Sequence, residues 1–230
     1  MPIGLLCNCG AVFVGGLAGT VCGKYLTERM KEVLTIVFGL SAVANGIVSI
    51  IKVGAMPPVI MAVIVGTFFG ELLQLERRVR GGLHGALERL PISTERIDMD
   101  EYVTIVAIFC ASGFGIYGVL MEGMSGESSI LLSKSVMDLF TALIFAGAMG
   151  AAVSLAAVPQ LIVFLIIFGL SKLVVPLTTP ELLSDFMACG GILTVAAGLR
   201  VSKIKDSPII NMLPALIFVM PFSSLWGMVF

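Results

Sequence analysis

Eight stretches of this chain are long and apolar enough to cross a bilayer as helices, and that limits the fold more than any other feature. A lipid-spanning helix takes about 20 mostly apolar residues, because the hydrocarbon holds no water to satisfy an open backbone. The stretches are Ile3–Gly23, Val33–Ile51, Met56–Leu75, Tyr102–Met121, Ser135–Val158, Gln160–Val175, Leu182–Val201 and Ile209–Met228. Hydrophobic residues make up 58% of the 230 and charged residues 13%, against about 25% charged in soluble domains. A soluble fold of this size has too little interior for so much apolar surface, so the excess faces lipid. The expected fold is an all-α polytopic membrane protein of about eight transmembrane helices. The sixth stretch is short and bounded by Pro159 and Pro176, which suggests little tilt or a partly re-entrant path. Pro214 and Pro221 stand in the eighth, where freed carbonyls need other partners.

Eight crossings put the loops alternately on two sides, and the basic residues then separate. Lys24, Arg29, Lys31, Arg77, Arg78, Arg80, Arg89, Arg96, Arg200, Lys203 and Lys205 share one side, whereas Lys52, Lys134 and Lys172 fall on the other. Cytoplasmic loops carry the Lys/Arg excess, so the chain is expected to be multi-pass with both termini outside. An odd number of crossings would scramble this separation. The N-terminus lacks the basic region of a secretory signal, and the first stretch reads as an uncleaved span.

The longest polar segment runs from Glu76 to Glu101. Leu75, Val79, Leu83, Leu87 and Leu90 recur in it at spacings of three and four, with arginines opposite. That pattern fits an amphipathic helix lying on the cytoplasmic leaflet. Gly81, Gly82 and Gly85 favour the alternative of a plain solvated linker. A single transmembrane domain over 1–230 is expected, with 76–101 as its interfacial linker.

A shift of 152 residues lays Gly39, Val43, Ala44 and Gly46 on Gly191, Val195, Ala196 and Gly198, and Asn8 on Gln160. Five crossings separate the two copies, so they would be inverted. On this reading repeat A is 1–75, repeat B is 159–230, and 102–158 is an inserted helix pair. Inverted repeats are common in transporters; chance matching of Gly, Ala and Val is the competing explanation.

Polar groups deep in a bilayer are costly and mark function or interhelical hydrogen bonding. The amides Asn8, Asn45, Gln160 and Asn211 are candidates to bind a solute or a desolvated cation. Asn8 lies inside the first span, Asn45 in the middle of the second, and Gln160 and Asn211 open the sixth and eighth. Glu71 lies about one turn inside the third span, within reach of Arg77 or Arg78. Glu122 and Glu127 border the outer end of the fourth, as a cation vestibule or a hydrated turn. Lys134 and Asp138 are four apart and share a helix face. The order Lys before Asp, near a helix N-terminus, opposes the helix dipole, so helix stabilisation explains the pair poorly and a functional ion pair is the sharper reading. Gly15, Gly19, Gly66 and Gly70 let helices approach closely, within the bundle or in a homodimer.

These motifs together resemble the bacterial inner-membrane family of YqgA and YdfK type. The resemblance rests on Asn8 with Gly15-Gly16-x-x-Gly19, Glu28-Arg29-Met30-Lys31-Glu32, Gly66-x-x-x-Gly70-Glu71-x-x-x-x-Glu76, Phe109-Cys110 with Gly113, Gly118 and Glu122-Gly123, Ser133-Lys134-Ser135 with Asp138, Gly190-Gly191 with Gly198, and Asn211-x-Leu213-Pro214-Ala215. It covers essentially the whole chain and implies a compact helical fold in the bacterial plasma membrane. The family is catalogued as a domain of unknown function and lends no activity. Where its turn after the fourth span usually reads Leu-Glu-Asp-Gly, this chain has Leu120-Met121-Glu122-Gly123, one acid fewer, which would weaken any cation site there.

The expected function is a transporter or channel for a small solute or ion. No nucleotide-binding P-loop stands in the sequence, so active transport would be secondary and coupled to protons or a monovalent cation. The alternative is a non-transporting scaffold or accessory subunit. A water-accessible cavity lined by Asn8, Asn45, Asp138 and Gln160 would favour transport, and its absence the scaffold. No HExxH, paired catalytic Asp or Ser/His motif points to an enzyme. The five cysteines read as apolar packing residues, and His84 is the single histidine, so no metal, cofactor or nucleic-acid partner is expected. The partners are the lipid bilayer, the solute or cation, and a second copy of the chain.

Overall fold

The computed structural model describes residues 2–87, 99–174 and 178–229. These form α1 (Ile3–Cys22), α2 (Glu28–Ile51), α3 (Met56–Leu72), α4 (Leu75–Leu87), α5 (Met99–Ala111), α6 (Gly113–Ser125), α7 (Ser129–Met149), α8 (Ala152–Leu155), α9 (Ala157–Val174), α10 (Pro180–Val201), α11 (Ile209–Met212) and α12 (Ala215–Val229), and no strand occurs among them. Arg89, Leu90, Arg96, Val175 and Pro176 lie outside the described residues. Seven stretches are long and apolar enough to cross a membrane, and the pair α3 and α4, bent by 58°, gives an eighth if it counts as one span. α3 alone has 17 residues, about 25 Å of helix, close to the hydrocarbon thickness.

The helix directions agree with eight crossings. Gly15 and Gly19 of α1 press on the backbone of Leu139 and Leu143, so α1 and α7 run parallel. Gly39 and Gly46 of α2 meet Gly198 and Gly191, so α2 and α10 are antiparallel. Gly66 and Gly70 of α3 meet Ala215 and Asn211, so α3 opposes α11 and α12. Alternating spans give these relations only if α3 crosses.

Two long-range contacts fix the helix starts at the end opposite the main basic cluster. α1 begins after Pro2 and α3 after Ala55, neither with a side-chain cap of its own. Glu122 supplies the first, accepting from the amides of Gly4 at 2.6 Å and Leu5 at 2.9 Å. Asp185 supplies the second, accepting from Gly54 at 2.9 Å and Ala55 at 2.8 Å, and also from the Ser223 hydroxyl.

The bundle's outer surface is apolar. Ile64, Phe68, Phe140, Ile162, Ile166 and Ile217 are among many large side chains left exposed. In water such a belt would drive aggregation; against lipid tails it is at rest. The chain is a multi-pass membrane protein.

Three boundaries differ from the sequence expectation. The fifth span starts at Ser129 and ends at Met149, where Gly150 turns away with φ of 73°. Lys134 is therefore inside the span, not in a loop. The sixth stretch begins at Ala152 and is full length, neither short nor re-entrant. Pro159 sits in the first turn of α9, where a missing amide costs nothing. The fourth stretch is two helices, α5 and α6, broken at Ser112.

Candidate functional site

The break in the fourth span faces a buried polar array. Asp138 of α7 and Lys134 one turn before it form an ion pair at 2.5 Å, both side chains 6% exposed. The Asn8 amide of α1 donates to the same Asp138 Oδ2 at 2.8 Å. Gln160 of α9 donates from Nε2 to Asn8 Oδ1 at 2.8 Å and to the Phe109 carbonyl at 3.4 Å. Phe109 lies in the last turn of α5, where helix carbonyls lose their intrahelical partners. Four spans are thus joined through side chains that hydrophobic packing alone would exclude. Gln160 Oε1 is buried and accepts no hydrogen bond among the described residues.

The local sequence explains how a lysine fits there. Ser112 caps α6 by accepting from the Gly115 amide at 3.1 Å. A Cβ on Gly115 would stand 2.6 Å from Lys134 Cε, so the glycine makes room for the lysine stem. The lysine ammonium lies near the positive end of α6, which disfavours it; Asp138 offsets that cost. The run Gly113-x-Gly115-x-x-Gly118 thus contains the seat of a functional candidate.

The other candidates lie apart from this array. Gln160 does not open its span but sits within it, fully buried. Asn45 is exposed on the outside of α2, with Met137 Sδ at 4.0 Å; the inward stripe is Thr35, Gly39, Ala42 and Gly46. Glu71 is exposed and lines a cleft with Gln74, Glu76, Arg77, Arg80, Asp100 and Asn211 at the basic end. Asn211 Oδ1 accepts from the Glu76 amide at 2.7 Å and so holds the start of α4. Glu122 is buried as the α1 cap, while Glu127 is exposed and accepts from Ser129. A cavity lined by Asn8, Asn45, Asp138 and Gln160 is absent among the described residues: three of the four are sealed together and the fourth is outside.

Removing the Glu122 carboxylate tests its capping role. Glu122→Ala leaves two buried amides without an acceptor and is expected to cost about 1–3 kcal/mol of stability. Glu122→Gln keeps one acceptor and should lose less. Thermal unfolding in detergent ranks the two variants, and equal losses would reject the capping account.

Asp185 and Arg200 were not singled out by the sequence. Asp185 follows Pro180-Glu-Leu-Leu-Ser, with its amide partners 130 and 131 residues away, and carries no local signature. Arg200 pairs with Glu76 at 2.6 Å and Asp206 at 3.0 Å and donates to the Ser207 carbonyl at 3.1 Å. It ties α4 to the end of α10. Of the free cysteines, Cys9, Cys110 and Cys189 are buried and Cys7 and Cys22 exposed.

An all-helical bundle with a lipid-facing belt and a sealed ion pair among its spans defines a polytopic membrane protein with a polar core. The chain belongs to the family described as Protein of unknown function (DUF554), whose model matches residues 3–224. It is 40% identical over 230 residues to the uncharacterized protein YqgA of Escherichia coli (strain K12), covering 98% of each chain. It is 23% identical over 219 residues to the uncharacterized membrane protein YdfK of Bacillus subtilis (strain 168), covering 93% of this chain and 92% of that one. No solved structure matches.

Proposed function

We propose that the chain is a secondary transporter or channel for a small solute or ion, with Asp138 as the group that binds a proton or monovalent cation. The observation that carries this reading is the Lys134–Asp138–Asn8–Gln160 array set against a broken span. Discontinuous spans whose freed carbonyls meet polar side chains within the bilayer are a feature of secondary transporters. The array also offers a means of coupling. A proton on Asp138 weakens its hold on both Lys134 and Asn8, and with it the link from α7 to α1 and, through Asn8, to α9. The sealed arrangement is then the closed state of an alternating cycle, and the unpartnered Gln160 Oε1 is a place for water or a cation to enter.

The helix crossings support an inverted repeat. Under the 152-residue shift Gly39 corresponds to Gly191 and Gly46 to Gly198, and a two-fold axis between the helices would bring Gly39 to Gly198 and Gly46 to Gly191, as found. Asn8 and Gln160, related by the same shift, hydrogen-bond to each other. The Lys/Arg excess would place the basic end in the cytoplasm of a bacterial plasma membrane.

The scaffold reading is favoured by one observation, the burial of Asn8, Lys134, Asp138 and Gln160 among the described residues. Flux in proteoliposomes separates the two. Purified protein is expected to move protons or Na⁺ down an imposed gradient, Asp138→Asn to abolish the flux, and Asn45→Leu to leave it unchanged. Wild-type flux in Asp138→Asn would sink the role given to Asp138. No flux of either ion from folded wild type would favour the scaffold.

A further inference from the structure

α4 is tied to the bundle at its start and along one face only. It has 13 residues, a length at which an isolated helix is marginal, and Gly81, Gly82 and Gly85 weaken it further. Nothing among the described residues requires those glycines. A Cβ on any of the three would meet none of their atoms within 4 Å, and none has a positive φ. Among the described residues, the space beside them is open.

The two sides of α4 differ. Leu75 and Leu83 pack inward against Val103, Ile209 and Ile210. Part of the apolar stripe thus covers the end of the bundle. Arg77, Arg80, Gly81 and His84, with Met99 of α5, line an open groove of about 450 Å³. Arg80 pairs with Asp100 at 2.5 Å, both about half exposed. Arg77 and Arg78 are exposed and make no ion pair among the described residues. On the other flank of Arg77 and Arg80 lies the cleft with Glu71, Glu76 and Asp100, which repels an anion. An anion is therefore directed to the glycine side.

We propose that this groove binds the phosphate of an anionic phospholipid. Arg77 and Arg80 are the cationic ligands, the bare backbone at Gly81 lets the headgroup approach, and Met99 meets its apolar part. The depth is suitable, since α4 turns away by 58° from the end of α3, where a spanning helix reaches the headgroups. Basic clusters beside spans are attracted to anionic lipid. A second copy of the chain is a poor occupant, because a two-fold contact here would set arginines against arginines.

The test uses the full chain in nanodiscs of phosphatidylcholine alone or with phosphatidylglycerol. Hydrogen exchange over 75–87 should slow at least tenfold with phosphatidylglycerol, which should also be retained in native mass spectra. The double variant Arg77→Gln/Arg80→Gln should lose both effects, and so should Gly81→Leu, which fills the groove from open space. Unchanged thermal unfolding of the variants separates lost binding from lost fold; for any variant that unfolds early, the wild-type lipid comparison decides. Equal exchange in the two lipids overturns the proposal, as does undiminished retention by folded variants. Equal protection from inorganic phosphate in phosphatidylcholine nanodiscs also overturns it, because the site would then take the free anion.

Discussion

Lys134→Met and Asp138→Leu, made singly, are each expected to lower the unfolding free energy by about 3–5 kcal/mol, and the double variant to recover most of that loss. Each single change strands a buried group that the fold has paired. Asp138→Leu leaves Lys134 without its partner at 2.5 Å and Asn8 without the acceptor at 2.8 Å. Lys134→Met leaves a carboxylate held by one neutral donor. Replacing both removes the two charges together, and apolar side chains of similar volume fill the space. The coupling is the difference between the double variant and the sum of the singles, and denaturant or thermal unfolding in one lipid mixture measures it. Additive losses would mean that the two side chains do not act as a pair. The double variant also bears on function: under the transport reading it folds and carries no flux, a combination that a purely structural ion pair does not produce.

Much of this fold was legible because hydropathy reports lipid exposure directly, and the spans in this chain are well separated. The pair of Lys134 and Asp138 was legible from a spacing of four. Their meeting with Asn8 and Gln160 was not, because those contacts join residues 130 and 152 apart. The local sequence hides the true start of α7 at Ser129. Ser133, Lys134 and Ser135 lower the hydropathy of its first turns, yet both serines return their hydroxyls to the helix backbone, at Ser129 and Leu131. Polar residues that satisfy themselves in this way do not end a span. Depth alone reads Asn45 as inward-facing. The small residues Gly39, Ala42 and Gly46 mark the packed face of α2, and Asn45 lies about 100° from Gly46 on the helix, so that stripe held the answer. The break at Ser112 had a signal too, a serine before two closely spaced glycines in Ser112-Gly113-x-Gly115. It reads equally well as close packing, and only its setting beside Lys134 separates the two.

Gly46→Ala is expected to destabilise the protein by about 1–3 kcal/mol through overpacking, and Gly46→Leu to prevent stable folding, although alanine favours a helix over glycine by about 1 kcal/mol. The sign is set by the neighbour. A Cβ at Gly46 would stand 2.6 Å from the Gly191 carbonyl oxygen, and one at Gly191 would stand 2.7 Å from the Gly46 carbonyl oxygen. Both obstacles are backbone atoms of a continuous helix, so α2 and α10 must move apart as rigid rods. The same holds two turns along the same helix pair, where Cβ atoms at Gly39 and Gly198 would lie 2.7 and 2.5 Å from the facing carbonyl oxygens. Gly10→Ala is the control, because a Cβ there meets nothing within 4 Å, and that variant should be neutral or slightly stabilised. Thermal unfolding of the purified variants gives the ranking. Equal behaviour of Gly46→Ala and Gly10→Ala would show that α2 and α10 are not held at this distance. If the two helices slide or tilt during an alternating cycle, alanine at Gly39 or Gly198 should lower flux as well as stability, since the crossing then sets the path of motion as well as the closed packing.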